Sequence, residues 1–199
     1  AVVHLAGENL AGGRWSESRK ERILKSREEG TRLLANTLAK LDDPPDVLVS
    51  ASAVGYYGAT GDRVVDESSE PGDTFLAEVC QRWEAACEPA RNAGIRTVHP
   101  RFGVVLSPKG GALAEMLTPF KFGLGGRIGS GEQWMPWVLL DDVVGAVHGM
   151  LFEDDYRGPV NVCAPNPVKN REFVNTLGAV LNRPTILPLP GFAVKLLFG

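Results

Sequence analysis

The chain opens on Ala1–Ala6, a short run that is apolar at nearly every position. Unbroken apolarity over so few residues is the pattern of a strand covered on both faces of a parallel sheet. The period then changes. Ile23, Leu24, Leu34, Leu38 and Leu41 recur at helical spacing with Arg and Glu between them, and Ser18 with Glu21 has capping-box spacing. A helix is therefore predicted from Ser18 until Pro44-Pro45 stops it. Val47-Leu48-Val49 returns to a buried-strand pattern and runs into Ser50-Ala51-Ser52-Ala53, followed by a polar, Gly-rich loop from Gly55 to Gly72. Asp73 or Thr74 is placed to cap the next helix, whose stripe is Leu76, Val79, Cys80, Trp83, Ala86 and Cys87.

Further along, Ile95–Leu106 reads as strand and Ala112–Phe122 as a short helix broken by Pro119. Gly123–Gly131, with five glycines, reads as a loop. Val138–Leu140 leads through Asp141-Asp142 into an apolar helix ending near Leu151, and Val160-Asn161-Val162 is a short strand. Asn170 is the predicted cap of a helix through Phe173, Leu177, Val180 and Leu181; the Pro-rich stretch Pro184–Pro190 and an apolar, helix-like run at Lys195–Gly199 follow. Strand-then-helix units in this order predict an α/β fold built on a doubly wound parallel sheet. Ligands in such sheets bind beyond the carboxyl ends of the strands, so the loops after Ala6, Ser52 and Leu106 are the expected sites.

With 199 residues, 44% of them hydrophobic, the chain can bury a core of its own. Its 21 Lys and Arg against 24 Asp and Glu leave a formal charge of −3, which argues against a nucleic-acid binder. Cys80 and Cys87, placed on one helix, stand about 10 Å apart along its axis, too far for a disulfide. A reduced, cytoplasmic setting is the expectation. No apolar run approaches the roughly 20 residues of a membrane span, and the isolated histidines His4, His99 and His148 support no metal site.

Candidate chemistry is sparse. The small residues of Leu5-Ala6-Gly7 suit either a flat ligand or a tight turn. The hydroxyls of Ser50 and Ser52 suit either a substrate carbonyl or the amides of a turn. Tyr56 and Tyr57 read first as packing residues; a phenol acts as acid or base only if a neighbouring cation lowers its pKa from about 10. Arg19, Lys20, Arg22, Lys25, Arg27 and Arg32, interleaved with glutamates, read as a solvated helix face.

Several segments nevertheless resemble one family in order and spacing. Val3-His4-Leu5-Ala6-Gly7 is similar to the fourth strand of extended short-chain dehydrogenases/reductases of the epimerase/dehydratase type. Arg27-Glu28-Glu29-Gly30-Thr31-Arg32-Leu33-Leu34 resembles their following helix, with Arg27 where Asn is usual. Val49–Gly58 resembles the Ser-containing fifth strand with its Tyr-Gly turn, Arg101-Phe102-Gly103-Val104-Val105 the sixth strand, and Asp141-Asp142-Val143-Val144 a later helix start. Gly158–Val162 is similar to a late strand. Cys80–Glu84, Gly110-Gly111 and Pro119–Gly126 narrow the resemblance to the sugar-nucleotide epimerase-like "epimerase family protein" subgroup.

The resemblance implies NADP, or NAD, at the strand ends, with Leu5, Ala6, Gly7, Arg27, Gly103, Val104 and Val105 as cofactor contacts. It implies Ser52 as the substrate-orienting hydroxyl; Tyr57, just beyond the same strand, is the candidate proton donor. The implied activity is hydride transfer with a small polar or nucleotide-linked substrate held between the strand ends, Gly123–Trp137 and Pro165–Asn170. Residues 1–122 are expected to be the later part of a Rossmann domain and 123–199 a mixed, substrate-side region. A homodimer through Ser18–Leu41 and Asp73–Asn92 is expected on the same ground. Two departures stand out: no Gly-x-x-Gly-x-x-Gly follows a strand, and the Tyr-x-x-x-Lys positions hold Leu76 and Cys80. Arg82 lies about 200° round the helix from Cys80. The chain is accordingly expected to be the middle of a larger fold lacking roughly 60 leading residues, and to bind a dinucleotide poorly in isolation. The alternative functions are a catalytically inactive NADP-binding sensor or scaffold, and a structural domain with an empty crevice.

Overall fold

The computed structural model describes residues 1–10 and 13–186; Lys195–Gly199 and the proline-rich stretch from residue 187 onward lie outside the described residues. In chain order the elements are β1 (Val2–His4), α1 (Glu17–Leu38), β2 (Val47–Ser50) and β3 (Ser52–Ala53). A 3-10 turn (Val54–Tyr57), α2 (Phe75–Ala85), α3 (Glu88–Asn92), β4 (Arg96–Phe102) and β5 (Val104–Leu106) follow. The remainder is α4 (Gly111–Lys121), β6 (Trp134–Met135), β7 (Trp137–Leu139), α5 (Leu140–Phe152), β8 (Gly158–Val162), β9 (Val168–Lys169) and α6 (Asn170–Val180). The fold is mixed α/β and Rossmann-like. It divides into two compact units, Ala1–Phe102 with Val144–Val162, and Gly103–Val143 with the described residues from Cys163 on.

In the first unit a wholly parallel sheet runs β1, β2, β4, with β3 continuing β2 along β4 and β8 on the opposite side of β4. The two-residue period of β4 distributes the surrounding helices. Arg96 points to one face, where its guanidinium donates to the carbonyls of Met150 at 2.8 Å and Leu151 at 3.3 Å in α5. Thr97, His99 and Arg101 point to the other, toward Arg91 of α3 and Glu84 of α2. Leu48, Ala35, Leu38, Cys87, Ala90 and Ile95 form a buried apolar cluster there, with Val2 and Leu34 at its margin.

Local chemistry sets where these elements begin and end, and corrects four expectations. Ser16, not Ser18, caps α1: its hydroxyl accepts from the Arg19 N–H at 3.3 Å. The buried side of α1 is Arg19, Ile23, Arg27, Thr31, Ala35 and Leu38, so Arg19 and Arg27 leave the expected solvated face. The helix segment predicted over Asp73–Asn92 is two helices, capped at the first by Thr74. Pro89 explains the break, because its ring and missing N–H cannot continue the turn from Ala85. β1 is not covered on both faces: Val3 and Leu5 are exposed, and among the described residues only β2 pairs with it. Among the described residues no helix is long and apolar enough to cross a membrane.

The second unit pairs β5 with β7 in parallel and β6 with β9 antiparallel. α4 runs through Pro119 rather than breaking at it, because a proline in the last turn removes one bond from a helix already ending. Lys169, not Asn170, is the cap of α6. The Asn170 side chain instead accepts from the Ile128 N–H at 2.8 Å and donates to the Met135 sulfur at 3.2 Å, tying the glycine-rich loop region to that helix.

Candidate functional site

At the carboxyl edge of the first unit's sheet, two arginines reach the strand ends from different elements. Arg101, at the end of β4, is buried and fully partnered. Its Nε and Nη2 each donate at 2.8 Å to the Glu84 carboxylate of α2, a two-pronged charged pair. Its Nη1 donates to the Tyr57 hydroxyl at 2.9 Å. The guanidinium carbon lies 3.5 Å from the Tyr56 ring centroid and 5.1 Å from that of Tyr57.

The sequence-predicted Ser52 and Tyr57 belong to this cluster. Ser52 is 3% exposed, and its hydroxyl donates to the same Glu84 carboxylate at 2.6 Å. Strand period turns the neighbouring Ala53 to the other face. Tyr57 is 4% exposed and donates to the Asn161 side-chain carbonyl of β8 at 2.7 Å. Burial pushes the Tyr57 phenol above its ordinary pKa, against the lowering pull of Arg101 and Asn161. Burial pulls Arg101 down, yet Glu84 and Tyr57 together hold it above its ordinary value. A cation therefore does stand on a phenol here, where the sequence offered none, and burial outweighs it.

The loop from Gly58 to Gly72 closes over this cluster. The Gly72 N–H donates to the Tyr56 carbonyl at 2.9 Å, and a Cβ on Gly72 would stand 2.6 Å from the Tyr57 carbonyl oxygen, so the close crossing requires glycine. Midway along the loop, the Glu67 carboxylate accepts from the Asn161 N–H at 2.7 Å. Glu84, Asn161 and Glu67 carry no sequence signal for such a role, and Arg101 stands out only as part of the sixth-strand motif. The available signal was β4 itself: a charged residue inside a strand that packs on both sides must find a partner.

Arg27 is the second arginine. It is 9% exposed, and its Nη1 donates to the carbonyls of Glu8 at 3.1 Å and Ile23 at 3.2 Å. Its guanidinium carbon stands 5.0 Å from the Trp83 ring centroid. Leu5 and Ala6 are exposed at the end of β1, and a Cβ on Gly7 would lie 3.0 Å from the Arg27 guanidinium carbon. The structure thus brings Arg27 to Gly7, next to the exposed Leu5 and Ala6. Burial lowers the Arg27 pKa, against the opposing influence of Cys80 and Glu8. Gly55 of the 3-10 turn rests on Leu76 and Cys80 of α2, its Cβ direction 3.5 Å from Leu76 Cβ and 4.0 Å from the Cys80 sulfur. Burial raises the Cys80 thiol pKa, with Ala53 and Ser52 opposing.

Gly103, Val104 and Val105 stand in the second unit. A Cβ on Gly103 would meet the Pro136 carbonyl oxygen at 2.7 Å, which splits the strand predicted over Ile95–Leu106 into β4 and β5. Val104 N–H donates to that same carbonyl at 2.7 Å. The two segments expected on the substrate side meet within this unit: Trp134 and Met135 pair with Lys169 and Val168, and Trp137 Nε1 donates to the Asn166 carbonyl at 3.2 Å.

Known proteins are similar to this chain along its whole length. "Epimerase family protein Mb2239" of Mycobacterium bovis is 47% identical over 199 residues, covering 100% of this chain. The chain spans 65% of that relative's length. The crystal structure of human epimerase family protein SDR39U1 (isoform 2) with NADPH matches with a TM-score of 0.93 at 40% identity, covering 99% of this chain and 68% of that one. A nucleoside-diphosphate sugar epimerase from Corynebacterium glutamicum matches with a TM-score of 0.78 at 38% identity, over 98% of this chain and 42% of that one. Residues 1–163 match the family model described as the NAD dependent epimerase/dehydratase family. The chain belongs to the NAD dependent epimerase/dehydratase family.

Proposed function

We propose that this chain is part of an oxidoreductase or epimerase-like enzyme that binds NADP, or NAD, and acts by hydride transfer on a small polar or nucleotide-linked substrate. The observation that carries the reading is the open end of β1, where Leu5 and Ala6 are exposed and the bare backbone of Gly7 lies beside the Arg27 guanidinium. A side-chain-free backbone beside a cation fits an oxygen-rich, anionic dinucleotide. The NADPH in the human relative's structure supports the same choice. When bound, the nicotinamide supplies or receives the hydride exchanged with the substrate.

Leu5, Ala6, Gly7 and Arg27 are proposed as cofactor contacts from the first unit; Gly103, Val104 and Val105 are proposed on resemblance alone. Ser52 is proposed to orient the substrate and Tyr57 to donate a proton. Each hydroxyl already has a partner, so engaging a substrate means exchanging Glu84 or Asn161 for it. A homodimer and a cytoplasmic location belong to the same proposal, the latter in keeping with the free thiols of Cys80 and Cys87.

A second reading, binding of NADP without turnover, is favoured by one observation: both candidate hydroxyls are nearly inaccessible and internally bonded. Titrating the full-length protein with NADPH, followed by nicotinamide fluorescence, tests binding; a panel of carbonyl and sugar-nucleotide substrates tests turnover. Substrate-dependent NADPH oxidation that Ser52→Ala abolishes is the expected result. Saturable binding with no oxidation across the panel favours the second reading, and no binding overturns both.

A further inference from the structure

Tyr57 is buried, and its hydroxyl accepts from Arg101 at 2.9 Å and donates to Asn161 at 2.7 Å. The residue before it in the chain is the reverse. Tyr56 stands in the same 3-10 turn at the carboxyl edge of the sheet and is half-buried. Among the described residues its hydroxyl has no hydrogen-bond partner. Nor is that oxygen one of the buried polar atoms left unpaired, so it reaches solvent. Two phenols side by side thus differ in what they can offer: one is spent inside the cluster, the other is free at its surface.

Free surface phenols are common; what distinguishes Tyr56 is how firmly it is held. Its ring lies on Arg101, with the guanidinium carbon 3.5 Å from the ring centroid. It packs edge-on against the Tyr57 ring, the centroids 5.4 Å apart and the planes at 79°. Its backbone carbonyl accepts from the Gly72 N–H at 2.9 Å. Arg101 is itself fixed by both oxygens of Glu84. A side chain ordered in advance by its neighbours loses little freedom when a ligand meets it. The same stack decides what a ligand meets. The Arg101 charge is balanced by Glu84, its remaining nitrogen donates to Tyr57 and, at 3.5 Å, to the Glu67 carbonyl, and the Tyr56 ring covers the guanidinium. This cluster therefore presents a hydroxyl rather than a cation, and a phenol hydroxyl both donates to and accepts from an uncharged oxygen group.

We propose that Tyr56 is a further substrate-touching residue of this site, its hydroxyl hydrogen-bonding an uncharged hydroxyl or carbonyl oxygen of the substrate while the stack on Arg101 holds the ring in place. This rests on the reading of an enzyme that acts on a small polar or nucleotide-linked substrate. Tyr57 can give a proton only after releasing Asn161, whereas Tyr56 binds with the cluster intact.

The test is steady-state kinetics of the full-length protein with NADP(H) and the member of the carbonyl and sugar-nucleotide panel that it turns over. Tyr56→Phe keeps the ring on Arg101 and removes only the hydroxyl. Its KM is expected to rise about threefold to tenfold, the worth of one hydrogen bond, with kcat nearly unchanged. Its urea midpoint without ligand is expected to match wild type, because that hydroxyl bonds nothing in the folded chain; a purely structural tyrosine would move the midpoint and leave KM alone. Tyr57→Phe, which loses the bonds to Arg101 and Asn161, is expected to lower the midpoint. On wild type, tetranitromethane, which nitrates accessible phenols, is expected to modify Tyr56 and spare Tyr57, as read by fragment mass spectrometry. Saturating substrate with the non-reacting form of the cofactor is expected to slow nitration of Tyr56 severalfold. Turnover by wild type with KM unchanged in Tyr56→Phe overturns the proposal and leaves the enzyme reading standing, as does nitration of Tyr56 that substrate does not slow. No turnover by wild type on any panel member removes the enzyme reading and this proposal with it.

Discussion

Arg101 and Arg27 lie on the same side of one sheet, both buried, both against an aromatic ring, and yet they are built for different ends. Around Arg101 every charged prong has a partner: Glu84 takes two, Tyr57 takes a third, and Ser52 completes the carboxylate. Such a closed cluster locks β3, β4, α2 and the 3-10 turn together. Around Arg27 the partners are carbonyls and a ring, and the exposed end of β1 lies alongside. A closed polar cluster fixes geometry, whereas an open one offers a place for something else to bind.

The largest effect that separates the two is on stability. Arg101→Met leaves the buried Glu84 carboxylate without its cation and is expected to cost about 3–5 kcal/mol, read as a lowered urea midpoint. Adding Glu84→Gln is expected to recover part of that loss, because no charge then remains unpaired. Arg27→Met is expected to change ligand-free stability far less. An equal loss at both sites would erase the distinction.

Next comes a third basic group, on the same face of β4 as Arg101. His99 is buried, with its pKa lowered to about 4 by burial; Glu84 opposes the shift, Arg91 and Arg101 assist it, and the Ser50 backbone opposes it. The folded value lies below the unfolded one, so the unfolded chain binds more protons between them. Stability is therefore full above about pH 6.5 and falls as pH drops toward about 4, by about 3 kcal/mol at most. Urea midpoints measured across that window for wild type and His99→Gln check this. The variant should show a shallower acid limb, and an unchanged slope would mean that His99 does not set it.

The smallest effect is at Ser52. Ser52→Ala removes one of three donors to Glu84 and is expected to cost only about 1 kcal/mol of stability. If Ser52 also orients a substrate, turnover falls far more than stability does. A loss of turnover that merely tracks unfolding would make Ser52 a structural member of the Arg101 cluster.

Much of this was legible along the chain. The alternation of apolar strands with striped helices announces the α/β sheet, whereas the small residues after β1 suit a ligand or a tight turn equally. Pairing was not legible. Arg19 and Arg27 sit among glutamates in sequence and read as solvated, yet the helical period turns both inward once α1 lies against α2. Ser52 and Tyr57 were found as hydroxyls at a strand end, but their partners Glu84, Arg101 and Asn161 come from α2, β4 and β8. Those contacts span separations of up to 104 residues.

The sequence by itself determined the elements, because hydrophobic period and capping are local properties of neighbouring residues. It also determined which residue types lie near the strand ends. Only the tertiary structure decided which charge meets which. Whether a buried arginine is satisfied or left open depends on what packs across from it, and that is a property of the assembled sheet and helices, not of the chain read in order.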